Sequence, residues 1–185
     1  MCKNFKKFDI PGLMLFEPSI FHDERGFFFE AFNQKNFELA IGENVSFVQD
    51  NQSFSKKNTL RGLHLQLEPF AQGKLVRVLY GEIFDVAIDL RKNSQTFGKY
   101  ASVIISSENK KQFWIPSGFA HGFLVLSDYA EVFYKTTDFY NKDSEKTLLW
   151  SDNDLGISWP GNKDNFIISD KDQSGSALRL FKEEL

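Results

Sequence analysis

Two of the three histidines stand in segments whose residue types could do chemistry. His64 lies in "RGLHLQ" (61–66), flanked by leucines, with Arg61 three residues before it and "AQGKLVRV" (71–78) soon after. His121 lies in "IPSGFAHGFLVL" (115–126), where Pro116, Gly118 and His121 have the spacing P-x-G-x-x-H. A histidine so placed is a core residue with satisfied nitrogens, a metal ligand, or a base. Catalytic zinc prefers three protein ligands, and a non-haem iron triad needs two histidines and a carboxylate. Two residues after His64 stands Gln66, and neither histidine has an H-x-D or H-x-E continuation. No local ligand set is complete, so no metal is expected. A free imidazole has a pKa of about 6.5 and can accept a proton at pH 7. Lys74 offers a compact positive charge for a developing oxyanion. Tyr134, in "EVFYKTT", offers a phenol that stays protonated until a strong base needs its proton. Arg25 and Arg61 carry planar forks suited to phosphate oxygens. Each residue also has an ordinary structural reading: core histidine, strand-end lysine, core aromatic, solvated arginine.

The elements that must position them read as strands. In "FDVAIDL", Phe84, Val86, Ile88 and Leu90 share one face, while Asp85, Ala87 and Asp89 share the other. That alternation predicts a half-buried strand. "KLVRVLYGEIFDVAIDL" reads as two strands about Gly81. "YASVIISSENKKQFWIP" and "GFLVLSDYAEVFYKTTDF" read the same way. "NQKNFELAIG" predicts one short helix, with Asn33 as cap and Gly42 as stop, and "SALRLFKEEL" a second. Many strands, short turns and few helices predict an all-β sandwich or barrel. The chain has 185 residues and no repeat or low-complexity linker, so residues 1–185 are expected to form one domain. The net charge of -3 gives no footprint for nucleic acid, and no apolar run could span a membrane. The lone Cys2 excludes an intrachain disulfide, and "MCKNFKKFDIPG" lacks the apolar core of a signal peptide. A cytoplasmic location is therefore expected. Most of the 21 phenylalanines are expected in the core, with some lining a ligand pocket.

The P-x-G-x-x-H spacing resembles the second signature of the cupins. The first cupin signature normally supplies H-x-H; here Gln66 takes the place of its second histidine. A longer series is more specific: "FHDERGFFFEAF" (21–32), "FVQDNQS" (47–53), "LRGLHLQ" (60–66), "AQGKLVRV" (71–78), "GEIFDVAIDLRKNSQTFGKY" (81–100), "WIPSGFAHGFLVLSDYAEVFYKTT" (114–137) and "SDKD" (169–172). From about Ile10 to Asp172 this series resembles the dTDP-4-dehydrorhamnose 3,5-epimerase family. The resemblance implies a double-stranded β-helix (a cupin-type jelly roll with a few short peripheral helices), no cofactor, and a homodimer. It implies a nucleotide-linked 4-keto-6-deoxy sugar as substrate, inverted at C3 and C5.

It also implies roles. His64 is the base, paired with Asp172. Lys74 holds the enolate and Tyr134 is the acid. His121 lies beside the sugar. Arg25, Arg61 and Lys171 meet the diphosphate. Glu30, Gln49, Asp50, Asn51 and Glu145 contact nucleotide or sugar, and Phe139 and Tyr140 lie against the base. The chain departs from the pattern at Leu65, where Tyr or Phe is common, and at Gln52, where His is common. The proline usual after Tyr140 is absent, which predicts a looser loop. The alternatives are an epimerase acting on one carbon, a cupin ketoisomerase, a non-catalytic sugar-nucleotide binding module, and a metal-dependent dioxygenase. One conflict stands out: strict alternation puts Arg61 and His64 on opposite strand faces. Either a bulge falls at Gly62, or Arg61 reaches the substrate from elsewhere, across a dimer interface for example.

Overall fold

The computed structural model describes residues 4–184; Cys2 lies outside them. In chain order the strands are β1 (Asn4–Lys7), β2 (Met14–Glu17), β3 (Phe21–Asp23), β4 (Gly26–Phe28), β5 (Gln49–Lys56), β6 (Leu60–Gln66), β7 (Lys74–Tyr80), β8 (Glu82–Asp89), β9 (Tyr100–Ser106), β10 (Gln112–Ile115), β11 (Phe119–Val125), β12 (Tyr129–Thr136) and β13 (Glu145–Thr147). The helices are α1 (Gln34–Ile41), α2 (Asp170–Gln173) and α3 (Leu178–Glu184). Asn33 caps α1 by accepting the Asn36 N–H, and Gly42 ends it at φ 83°. Both ends match their sequence signals.

Two antiparallel sheets face each other, ordered β1-β2-β10-β7-β12-β5 and β13-β6-β11-β8-β9. From β6 to β8, and again from β9 to β12, the chain keeps crossing between the sheets. This is the cupin-type jelly roll. The inner faces supply one core: Leu15, Val76, Phe113 and Val132 from one sheet meet Ile83, Phe119, Phe123 and Val125 from the other. Phe113 and Phe119 are completely enclosed, each contributing about 2–3 kcal/mol.

The strand β8 corrects the half-buried expectation. Asp85, Val86, Ala87, Ile88 and Asp89 are all at 0% exposure, so both faces are covered. The outer face of its sheet packs against Leu148, Leu155, Trp159 and Phe181 from the C-terminal segment. The inner face, with Ala87 and the two aspartates, points into the barrel. Alternation showed two chemically different faces but not that an outer layer would cover the apolar one. The outer face of the larger sheet is covered by α1, where Phe37 packs on Phe16 and Trp114.

Most of the phenylalanines fill or pack against the core, as expected. Six are buried, while Phe5, Phe21, Phe27, Phe28, Phe54, Phe70 and Phe139 are exposed. Three of the exposed rings share the β3–β4 hairpin, which pairs with neither large sheet. No described helix is long and apolar enough to cross a membrane.

Candidate active site

The inward rows of several strands turn from apolar to polar towards one end of the barrel. On β7, Val78 and Val76 lead to Lys74; on β12, Ala130 and Val132 lead to Tyr134. On β11, His121 stands between Phe119 and Phe123 and lies opposite His64 in the ladder with β6. The same architecture that builds the core therefore places an imidazole, an ammonium and a phenol around one cavity. Gln49, Asn51, Leu65, Gln66, Gln72, Tyr140 and Glu145 complete its wall.

The conflict over Arg61 resolves at Gly62. His121 pairs with His64 and Phe123 pairs with Arg61, so β6 carries one extra residue at this point. The bulge changes the parity and puts Arg61 and His64 on one face. Gly62 has φ 121°, and a Cβ there would lie 2.6 Å from the Gly122 Cα. A Cβ on Gly122 would lie 2.5 Å from the Arg61 carbonyl oxygen. Only paired glycines let the two strands approach this closely. Arg61 donates from Nε to Ser55 Oγ at 3.0 Å, and its charge draws the Tyr134 pKa down against the larger upward push of burial.

His64 Nε2 lies 2.6 Å from Asp172 Oδ1. Asp172 is brought there by α2, whose cap Ser169 accepts the Asp172 N–H at 3.2 Å. Its other oxygen accepts the Gly62 N–H at 3.2 Å. Burial pushes the Asp172 carboxyl up, but His64 and the Gly62 amide together hold it below the usual value. An ionised Asp172 accepts from Nε2–H, which leaves Nδ1 with the lone pair. Lys74 Nζ donates to the His64 carbonyl at 3.3 Å. Burial lowers the Lys74 pKa to about 8, against the opposing pull of Glu145 and Asp85.

Asp85 is the site residue that sequence reasoning passed over. It is fully buried, and its Oδ1 lies 2.5 Å from His121 Nε2. A second carboxylate–imidazole pair thus stands across the ladder from the first. The only available signal was an aspartate on the face that β8 turns inward, which its sequence does not distinguish from solvent. Among the described residues, no group of three or more His, Cys, Asp or Glu is arranged to hold a metal ion.

Glu145 accepts from Lys171 at 2.6 Å and from the Tyr140 hydroxyl at 2.9 Å. Burial pushes its carboxyl up, but these two donors bring it below its ordinary value. Other expected site residues lie apart from the cavity. Asp50 points to the other face of β5 and pairs with Lys135 at 2.9 Å. Glu30 accepts from Asn33 and Asn36 at the start of α1. Arg25 sits at the tip of the hairpin, 90% exposed, and pairs with Asp23 at 2.6 Å. Phe139 is exposed beside Tyr140 at the cavity mouth. Leu65 is buried with Leu63 and Leu148 in the outer core.

The family model for dTDP-4-dehydrorhamnose 3,5-epimerase matches residues 7–179. The chain belongs to the dTDP-4-dehydrorhamnose 3,5-epimerase family. It is 60% identical to the dTDP-4-dehydrorhamnose 3,5-epimerase of Shigella flexneri, covering 93% of this chain and 94% of that one. With the Salmonella typhimurium protein of the same name it shares 59% over 82% of each. A crystal structure of dTDP-6-deoxy-D-glucose-3,5-epimerase from Legionella pneumophila, in complex with dTDP-4-keto-L-rhamnose, superposes with a TM-score of 0.93. That structure is 49% identical and covers 98% of this chain and 95% of that one.

Proposed function

We propose that the chain inverts C3 and C5 of a dTDP-4-keto-6-deoxyhexose, converting dTDP-4-dehydro-6-deoxy-D-glucose to dTDP-4-dehydro-L-rhamnose. The observation that carries this reading is the His64–Asp172 pair at 2.6 Å facing a cavity that Lys74 and Tyr134 also line. C3 and C5 flank the C4 ketone, so a proton on either is acidic because the carbanion spreads onto the ketone oxygen. Nδ1 of His64 takes that proton, and the C–H pair becomes the enolate double bond. Asp172 stabilises the imidazolium that forms. The Lys74 ammonium holds the enolate oxygen. His121, its Nε2 paired with Asp85, stands beside the sugar and supports the enolate. Tyr134 then gives its phenolic proton to the opposite face of the carbon. The His64 proton returns to the phenolate through solvent, and both groups are restored before the second carbon reacts.

Glu145, Gln49 and Asn51 line the sugar end of the cavity in this reading, and Lys171, Arg61 and Arg25 serve the diphosphate. Phe139 and Tyr140 stack on the base. Arg25 and Glu30 lie away from the cavity within one chain, and the hairpin that carries Arg25 exposes three phenylalanines. These facts support a homodimer in which each hairpin delivers its arginine to the partner's cavity. Sedimentation equilibrium tests the assembly: a mass of two chains is expected, and a monomer at micromolar concentration contradicts it. NMR of the protein incubated with dTDP-4-dehydro-6-deoxy-D-glucose tests the reaction. The L-rhamno product is expected; a product inverted at one carbon, or none, contradicts the double epimerase.

A further inference from the structure

Gln66 stands where a metal-binding cupin would place its second histidine, yet no step above uses it. Its amide is buried at 5% exposure and almost fully engaged. Nε2 donates to the Phe70 carbonyl at 2.6 Å and to the Phe139 carbonyl at 3.1 Å. Oε1 accepts the Asn141 N–H at 2.8 Å. A histidine ring could not donate to two carbonyls and accept an amide at once, and a glutamate would face both carbonyls with negative oxygens. Two further glutamines act on the same short segment. Gln72 Nε2 donates to the Asp138 carbonyl at 2.7 Å, and Gln49 Oε1 accepts the Tyr140 N–H at 3.0 Å. Four successive residues, Asp138 to Asn141, therefore have a backbone group tied to a glutamine side chain. The glutamines come from β5, from β6 and from the loop before β7. The rings this segment carries, Phe139 and Tyr140, are left 62% and 55% exposed.

We propose that Gln66 and Gln72 are positioning residues for nucleobase recognition, holding segment 138–141 so that its two rings are set before the base arrives. This rests on the nucleotide-sugar reading above. Tethers that fix the backbone in advance remove the ordering cost that a free aromatic loop would meet on binding. They also substitute for the missing proline: position 141 is an asparagine, and its N–H makes a bond that proline could not make.

The test separates the base from the phosphates. Gln72→Met and Gln66→Met are measured for turnover of the 4-keto sugar, and for inhibition by dTDP and by inorganic diphosphate. For Gln72→Met, KM and the dTDP inhibition constant rise about five-fold, the worth of one hydrogen bond. The diphosphate inhibition constant stays within about two-fold, and kcat changes less than KM although both glutamines line the cavity, since their bonds go to the backbone of segment 138–141. Gln66→Met gives a larger effect of the same pattern; if that variant fails to fold, Gln72→Met alone decides. Equal losses for dTDP and diphosphate, unchanged affinities, or a fall in kcat at constant KM would overturn the proposal. A wild type that binds dTDP but does not turn over the sugar defeats the epimerase reading alone, because the inhibitor comparison still reports on the loop. A wild type that does not bind dTDP overturns both.

Discussion

The Lys74 ammonium lies in the wall of a cavity, where burial lowers its pKa from 10.5 to about 8. If its positive charge holds the enolate oxygen, kcat/KM must follow the protonated fraction in the free enzyme. That fraction is about nine tenths at pH 7, about half at pH 8 and about one tenth at pH 9. The rate constant should therefore fall about tenfold per pH unit once pH exceeds 8. The sign is fixed by the chemistry: the cation is the active form, so activity is lost as pH rises. Lys74→Met removes the charge and should lower kcat about 100- to 1000-fold, as loss of an oxyanion donor does. Lys74→Arg keeps a charge that does not titrate in this range, so whatever activity remains should be flat up to pH 9.5. Initial rates at constant ionic strength between pH 6 and 9.5, followed by NMR of the sugar, make the comparison. A wild-type profile flat to pH 9.5 refutes the assignment of Lys74. The same alkaline limb in Lys74→Arg refutes it equally, because another group would then be titrating.

Three further outcomes are expected. Tyr134→Phe should still exchange substrate protons with deuterated water while inverted product forms about 100- to 10,000-fold more slowly; unimpaired inversion would remove Tyr134 from the reaction. Gly62→Ala places a Cβ 2.6 Å from the Gly122 Cα at φ 121°, and should destabilise the fold by about 3 kcal/mol in urea melts. An unchanged midpoint would show that the close approach of β6 and β11 is not what fixes the bulge. Burial pushes the Asp89 carboxyl up, but Arg91, Ser94 and Thr96 outweigh it and bring its pKa to about 2. The ionised form is therefore favoured by folding, by about 2 kcal/mol at pH 7. That stabilisation is complete above the unfolded pKa near 4 and is lost as pH falls towards 2. Asp89→Asn should be less stable at pH 7 and converge on wild type at low pH; a constant difference would contradict this.

Much of the fold was legible because strands announce themselves by period two. Gly81 divides β7 from β8 as expected, since its φ of 77° and a Cβ position 2.0 Å from the Tyr129 carbonyl exclude other residues. Helix α1 was legible at both ends because its caps are local chemistry. What one strand cannot reveal is which layer covers it. Asp85 and Asp89 looked equivalent on β8, yet one meets His121 and the other meets Arg91. Those partners lie on β11 and in the following loop, so the distinction exists only after folding. Parity failed at Gly62 for a local reason, the single extra residue, and glycine was the one visible hint. Gln66 was noticed as a missing ligand. Its actual engagement depends on the backbone of Phe70, Phe139 and Asn141, and no side-chain pattern encodes that.

The central claim is that one base, His64, serves both carbons beside the ketone. The most direct measurement is deuterium incorporation from deuterated water into C3 and C5, read by NMR for wild type and His64→Ala at equal protein concentration. Wild type is predicted to label both carbons and His64→Ala to label neither above the buffer rate. Labelling at either carbon by His64→Ala at the wild-type rate would contradict the claim and require a different base.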